Sequence, residues 1–516
     1  MAEVTSASVF FYIFSSSLVL LLVTLLVKYL SIGIKNSSTK FQPPPSPPSL
    51  PIIGHLHLLG SVIPKSFQTL ATIYGPLIKL RLGASTCIVV SNFHVAKEVM
   101  KDNDLNFCDR PNFGSSEYFL YKGSYFTTAP YGPYWRFMKK LCMTQLLSSS
   151  MLGCFMHIRE EEIHKLLKSL MVCSNEGKAC NLSLELTSLT NNILCRMAMS
   201  TTCLDKDNDA KEIHGLVKEF LEVGAKLSMG EVFGPLGKLD LFGYGKKLVK
   251  IVGKFDQILE GILEEHEKEI EVSQRETRDM MDIMLQIYRD PNAEVKLTRN
   301  DMKAFFLDIF LAGTDTSSVA SQWAMAEIIN HPQVLKKLRE EIDSVVGTCR
   351  IINESDIPNL PYLQAIVKEV LRLHPTAPIA LRQSLQDCNI NGYDIKGQTR
   401  TLINVYAIMR DPKAWNNPQE FIPDRFIEGS DYYFVKMMNS NNDFRYIPFG
   451  FGRRGCPGDT LALRVIQGTI ATLIQCFEWK VEGDGDKVNM VEGSSFSVGL
   501  AMPLVCYPTT RFNLLI

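Results

Sequence analysis

From Val9 to Val27 the chain is apolar or hydroxylated without a charge, and apolar positions continue past Lys28 through Tyr29, Leu30, Ile32 and Ile34. At about 1.5 Å per residue, a helix of that length crosses roughly 30 Å of hydrocarbon, so residues 1–34 are predicted to form a transmembrane anchor. The hydroxyls of Ser15–Ser17 and Thr24 can bond back to helix carbonyls and are compatible with it. Glu3 precedes the span, whereas Lys28, Lys35 and Lys40 follow it, which orients the rest of the chain to the cytosol. A cleaved signal peptide is the competing reading; it would have a shorter apolar stretch, with its positive charge first. Residues 35–52 pass from Lys and Ser into Pro43-Pro44-Pro45-Ser46-Pro47-Pro48 and Pro51. Fixed φ angles and missing donors make such a run extended and stiff, a spacer between membrane and body.

Beyond it, residues 53–516 read as one mainly α domain with small β-sheets. Strand patterns appear at Leu77–Leu82 and Cys87–Val90. Gln257–Glu271 carries Ile258, Leu259, Ile262 and Leu263 at helical spacing among glutamates. Further helices are predicted over Gln333–Val345, behind Pro332, and from Pro361 to Leu373, where His374-Pro375 stops the pattern. Ala304–Leu311 is an apolar stretch that reads as a buried helix.

Composition changes this picture little. The 516 residues are 46% hydrophobic and 21% charged, which is the make-up of a packed protein. Fifty-four basic and 55 acidic residues leave a net charge of -1, which argues against a nucleic-acid partner. The 13 cysteines show no CxxC spacing for zinc and no small-domain disulfide framework, so the body belongs in a reducing compartment. No GxSxG elbow and no histidine pair at metal-ligand spacing occur.

The chemistry concentrates in Phe449-Gly-Phe-Gly-Arg-Arg-Gly-Cys-Pro-Gly458. Its glycines allow tight turns, and Cys456 stands just before a helical pattern that starts near Leu461. Free backbone N–H groups and the positive helix end favour a thiolate there, hence a metal ligand. Taken by itself, the alternative is a structural cysteine in a glycine-rich turn. The segment resembles the haem-binding loop of the cytochrome P450 superfamily, whose pattern FxxGxRxCxG is met by Phe449, Gly452, Arg454, Cys456 and Gly458. Three further segments extend the resemblance over most of the chain. Glu369-Val-Leu-Arg372 matches the ExxR element, and Phe421-Ile-Pro-Asp-Arg-Phe426 matches the aromatic-and-arginine element, with Asp424 where Glu is commoner. Ala312-Gly-Thr-Asp-Thr316 matches AGxDT, and Trp135-Arg-Phe-Met-Lys139 matches the aromatic–basic pair, with Lys for Arg.

This resemblance to the plant microsomal group implies a P450 fold behind its transmembrane helix, with residues 53–516 as a haem-thiolate domain. Haem b would be held by Cys456 on its iron. Trp135, Lys139 and Arg382 would reach its propionates, beside Phe449, Gly450 and Arg454 of the loop. Glu369, Arg372 and Arg425 would form a buried charged network. Gly313 would open a kink in the long helix, and Thr316 and Asp315 would deliver protons to dioxygen. Phe126, Phe305, Ile309, Ala312, Ile379, Ala380 and Val498 would line the substrate pocket, near Tyr118, Phe119, Tyr121, Tyr125 and Phe496. The chain has no nicotinamide or flavin fingerprint, so electrons would come from NADPH through NADPH–cytochrome P450 reductase. That partner would dock on a basic face around Arg136, Lys139, Lys140 and Arg453 in the endoplasmic reticulum membrane. The expected activity is O2-dependent oxidation of a hydrophobic small molecule, a triterpenoid by preference and a flavonoid or isoflavonoid as alternative. A haem-thiolate isomerase or dehydratase, or a haem-free scaffold, is the competing class.

Overall fold

The structure, a computed structural model, describes all residues except 1–14, 17–40, 112–117, 119, 122, 201–208, 231–239, 241, 273–278, 430–442, 483–486, 494–496 and 513–516. The membrane span expected at Val9–Val27 therefore lies outside the described residues, apart from Ser15 and Ser16. Among the described residues no helix is long and apolar enough to cross a membrane.

Helices dominate. In chain order those used below are α1 (Ile63–Tyr74), α2 (Pro133–Leu141), α3 (Met156–Glu176), α4 (Leu182–Met199), α5 (Tyr244–Val272), α6 (Met280–Arg289), α7 (Arg299–Asn330), α8 (Pro332–Val345), α9 (Pro361–Leu373) and α10 (Asp459–Cys476). Both α8 and α9 start on a proline, whose missing N–H is no loss in a first turn. Helix α8 buries a single stripe of Val334, Leu338 and Ile342. Helix α7 is buried on nearly all sides, including Phe305, Phe306, Phe310 and Trp323, as expected of a helix that runs through a core. A reciprocal Thr298/Asp301 capping box starts it. Helix α5 begins well before the predicted Gln257, and Leu259, Ile262 and Leu263 point inward.

Two small sheets flank the helices. One has the order β1 (Leu77–Leu82), β2 (Ser85–Val90), β7 (Arg400–Asn404), β4 (Ile379–Gln383), with only β2 and β7 parallel. The other is antiparallel, with β3 (Cys180–Asn181), β9 (Val505–Thr510) and β8 (Phe477–Val481) in that order. Strands β5 (Cys388–Ile390) and β6 (Tyr393–Ile395) make a hairpin.

The proline run differs from a free spacer. Pro44 and Pro47 are buried while their neighbours are not, the three-residue period of a polyproline helix laid on a surface. The Lys79 N–H donates to the Pro45 carbonyl at 2.8 Å, and the Asp394 N–H donates to the Gln42 carbonyl at 2.8 Å. Buried His55 joins in, its Nε2 bonding the Pro47 carbonyl at 2.8 Å while its Nδ1 accepts the Arg81 N–H at 2.7 Å. The proline carbonyls, free of any helix or sheet of their own, are the acceptors that fix this strap to the body.

Candidate active site

The Cys456 loop is built by its glycines. Gly450 and Gly452 both have φ of +70°, which L side chains rarely adopt. A Cβ on Gly452 would also stand 2.9 Å from Asp104 Oδ1 and 3.0 Å from the Met100 carbonyl. The loop closes through the Cys456 N–H donating to the Phe449 carbonyl at 2.9 Å, and the Gly455 N–H donating to that of Gly452 at 2.9 Å. Helix α10 starts at Asp459, two residues before the predicted Leu461. The Gly458 N–H points at Cys456 Sγ at 3.4 Å. The thiol has accessible surface yet is thickly surrounded by protein, so it opens into an internal cleft.

Burial pushes this thiol up, and the Asp459 carboxylate adds to that; the Gly458 N–H and Lys139 ammonium only partly oppose it. The Gly458 N–H favours the thiolate in the direction the sequence implied, but desolvation outweighs that one amide and the Lys139 ammonium. A cation bonded to the sulfur would complete the stabilisation. Lys139 Nζ donates to the Gly455 carbonyl at 2.7 Å, so Lys139 braces the loop from α2.

Beside the loop lie buried Arg382 and Arg454 and half-buried Arg110. Arg454 donates through Nε to the Cys108 carbonyl at 2.7 Å and through Nη2 to that of Ala129 at 2.6 Å, while Nη1 has no hydrogen-bond partner. Its guanidinium stands 4.4 Å from the centre of the Trp135 ring, which stacks on Phe126 at 5.9 Å and 10°. Arg382, on β4, donates to the Leu381 carbonyl at 2.8 Å and more weakly to that of Phe451 at 3.4 Å. Arg110 also donates to the Leu381 carbonyl and keeps an unpartnered buried Nε. Burial, with repulsion from Arg382 and Arg454, holds Arg110 well below the usual arginine range; burial, with repulsion from Arg454, brings Arg382 to about 10, and burial brings Arg454 to about 10 against the pull of Asp109. Asp109, 3.9 Å from Arg454, is the carboxylate at ion-pair distance among the described residues. Three clustered guanidiniums, two of them (Arg110 and Arg454) with an orphaned N–H, suit an anion of more than one charge. Arg110 escaped the sequence reading, because a lone Arg before Pro111 has no spacing to mark it.

A second charged network lies under α9. Arg372 forms a fork with Glu369 at 2.7 and 2.8 Å, and Arg425 Nε reaches Glu369 Oε1 at 3.1 Å. Carbonyls of Met409, Pro418 and Glu420 take the remaining Arg372 donors, and that of Asn417 takes Arg425 Nη2. All three side chains are buried.

The opposite wall is α7. It runs unbroken through Gly313, where a Cβ would lie 2.8 Å from Leu194 Cδ1. Gly313 thus admits α4 against α7, and a break in the helix is not what it provides. Thr316 Oγ1 donates to the Ala312 carbonyl at 2.7 Å. Burial pushes the Asp315 carboxyl up, opposed by a hydrogen bond from Ser497. Phe305 is fully buried, 6.5 Å edge-on from Phe126. Ile309 is half-buried and Ala312 is exposed towards the cleft. Ile379 and Ala380 are half-buried at the start of β4; buried Val498 offers its carbonyl to Trp323 Nε1 at 2.9 Å. Phe119 and Phe496 lie outside the described residues. Asp308 was also missed, for it reads as one polar residue in an apolar run.

The family described as Cytochrome P450 matches residues 44–505. The chain is 42% identical over 477 residues to a beta-amyrin 24-hydroxylase of Glycine max, covering 91% of this chain and 93% of that protein. It is also 42% identical over 484 residues to a 3,9-dihydroxypterocarpan 6A-monooxygenase of the same plant, again covering 91% and 93%. Among solved structures it resembles a zebra fish cytochrome P450 with abiraterone, with a TM-score of 0.72 and 25% identity, over 87% of this chain and 100% of that one.

Proposed function

This chain belongs to the cytochrome P450 family and is a haem-thiolate monooxygenase; from that premise we propose that it oxidises a pentacyclic triterpenoid. One observation carries the choice of substrate. The described wall around Ala312 is hydrocarbon, and its polar groups are already engaged, Thr316 with the Ala312 carbonyl and Asp308 with Thr127. A scaffold with a single hydroxyl loses little there, whereas a polyphenol would bury several unpaired groups at about 1–3 kcal/mol each. The similarity to a beta-amyrin 24-hydroxylase supports the same reading.

The residues present fit a haem. Cys456 would hold its iron, Arg110, Arg382 and Arg454 would pair with its carboxylates, and Trp135 would stand beside them. When bound, the haem supplies oxygen activation, with the sulfur ligand favouring O–O cleavage. This chain's own groups then act around it. The Gly458 N–H and the Lys139-braced loop keep the sulfur in place. Asp315, biased towards its protonated form by burial, can pass a proton along the Thr316 turn. The apolar wall keeps water out and orients one C–H bond.

Electrons would come from NADPH–cytochrome P450 reductase in the endoplasmic reticulum membrane, with residues 1–34 as anchor and the body cytosolic. The docking face is narrower than the sequence implied. Lys139 is turned to Gly455, which leaves exposed Arg136, Lys140 and Arg453, with Lys140 paired with Glu294 at 3.1 Å and Arg453 with Asp104. Deleting residues 1–40 should release protein from microsomes; full retention would refute the anchor.

The substrate test is to supply β-amyrin, a dihydroxypterocarpan or a flavanone to microsomes that hold this chain and a reductase. Mass spectrometry should find an oxygenated product from β-amyrin. Product from the phenolic substrates alone would overturn the triterpenoid reading.

A further inference from the structure

Phe126 reaches the cleft from a loop, residues 123–132, that has no helix or strand of its own. Its internal bonds are few, the Ser124 N–H to the Tyr121 carbonyl at 3.1 Å and the Ala129 N–H to that of Tyr125 at 2.8 Å. The middle of the loop is fixed by one residue of α7. Asp308 accepts the Thr127 N–H on Oδ2 at 3.0 Å and the Thr127 hydroxyl on Oδ1 at 2.6 Å. A second tie lies at the edge of the loop. Tyr121 Oη donates to Asp256 Oδ1 at 2.6 Å, and Asp256 of α5 is ion-paired with Lys303 of α7, which also meets Glu260 at 2.9 Å. Both ties end on α7, at 303 and 308, on either side of Phe305.

We propose that Asp308 is a positioning residue, which clamps Thr127 to α7 and so sets how closely the Phe126 ring closes over the cleft beside Ala312. A buried carboxylate inside an apolar helix is costly unless its oxygens meet donors. Here both oxygens meet donors of the loop, and Asp308 shares its helix face with Ala312 four residues on and Thr316 eight residues on. The clamp therefore links the loop wall, residues 123–132, to the helix that carries the proposed proton donors. The inference builds on the reading of this cleft as the substrate site and names a determinant of what the cleft accepts.

Asp308 also makes the clamp sensitive to pH. Burial raises its carboxyl to about 6, against the Thr127 and Phe126 hydrogen bonds that lower it. Because those bonds favour the carboxylate, protonation weakens them, and the clamp loosens as pH falls through about 6. The titratable groups that face Asp308 are Tyr125 on the loop, Tyr134 on α2 and Cys142 just beyond it. Burial holds the Cys142 thiol at about 12 and both phenols above the usual tyrosine range, so none of them changes charge there.

The test needs no substrate. Imidazole and 4-phenylimidazole both bind haem iron through nitrogen, and only the second carries a ring that meets the pocket wall. The ratio of their spectroscopic affinities reads the position of Phe126. Loss of a charge-assisted hydrogen bond should change that ratio about five- to tenfold in Asp308→Ala, with the reduced carbon-monoxide spectrum retained. Amide hydrogen exchange over 123–132 should speed up in the same variant. Thr127→Val should give a smaller change in the same direction, and Thr127→Ser should restore the wild-type ratio. Both ligands protonate in this range and only their neutral forms bind iron, so each affinity is expressed per neutral ligand; on that basis, between about pH 7.5 and pH 5, the ratio should drift in the wild type and not in Asp308→Asn. Should Asp308→Ala fail to hold haem, Thr127→Val and the pH comparison decide. An unchanged ratio and unchanged exchange in Thr127→Val, or the same pH drift in Asp308→Asn, would overturn the proposal. Because no triterpenoid enters the experiment, its result stands apart from the substrate assignment.

Discussion

Two of the charged clusters inside this protein, around Glu369 and around Arg454, are made differently. Around Glu369 one carboxylate takes two arginines, and backbone carbonyls at Met409, Asn417, Pro418 and Glu420 take the donors left over. Around Arg454 three arginines meet with one distant carboxylate, and Arg110 and Arg454 retain N–H groups without partners. The first cluster is closed, its charges and donors satisfied from within the chain. The second is open, and its repulsion is what an anionic cofactor relieves. Satisfaction of hydrogen bonds therefore separates a structural network from a binding site where residue type does not, since both are rich in arginine.

Removing the centre of the closed cluster should have the largest effect. Glu369→Ala leaves Arg372 and Arg425 uncompensated in the interior, at about 3–5 kcal/mol. That is comparable to the whole stability of many domains, so the expected outcome is little soluble haem-loaded protein. A yield and melting temperature near wild type would show that the closed cluster is dispensable.

In the open region the sharpest change is Cys456→Ser. Its carbon-monoxide difference spectrum should lose the thiolate-type band altogether, while far-ultraviolet circular dichroism stays as in the wild type. Retention of that band would dismiss Cys456 as the ligand.

Arg382→Met tests the contrast itself. It removes one cation from a repelling set at the cost of two modest carbonyl bonds. The apoprotein should melt at the same temperature or higher, whereas haem should be lost about ten- to hundredfold faster on transfer to apomyoglobin, the worth of one charge-assisted hydrogen bond. Parallel losses of apoprotein stability and haem retention would mean that this cluster is structural after all.

The mildest test leaves both clusters alone. Thr316→Ala should keep haem and substrate binding and give roughly twofold to tenfold less product per NADPH, with more hydrogen peroxide. That is below the effect of an unshared general acid, because water can replace a hydroxyl. Coupling equal to wild type would leave Thr316 as a residue that only bonds back to Ala312.

What could be read from the sequence was what local backbone chemistry encodes. The turn-forming glycines gave the Cys456 loop, the short strand-like runs Leu77–Leu82 and Cys87–Val90 gave β1 and most of β2, and Pro361 with His374-Pro375 bounded α9 to the residue. The partners of these segments were not readable in the same way. Asp308 and Thr127 are 181 residues apart, and neither carries a periodic signal. Arg110 becomes a site residue only when folding brings Arg382 and Arg454 beside it. The close approach of Leu194 to Gly313 was also not legible, because a glycine that admits a neighbour looks the same in sequence as one that loosens a helix. The burial of Cys456 was not readable for a related reason: it depends on what packs around the loop, and spacing says nothing of that.

The proline strap bears on the order in which the molecule can be made. Gln42 exchanges hydrogen bonds with Asp394, 352 residues downstream. At about 5–20 residues per second, a ribosome needs roughly 20–70 s to travel between them. For that interval the strap has no dock on the hairpin that will hold it, and the stiffness of its prolines keeps it extended and out of wrong pairings in the meantime. Its bonds to Lys79 and His55 can form as soon as those residues emerge, whereas the tie to the hairpin is a late seal that forms only on a chain whose final third has been made.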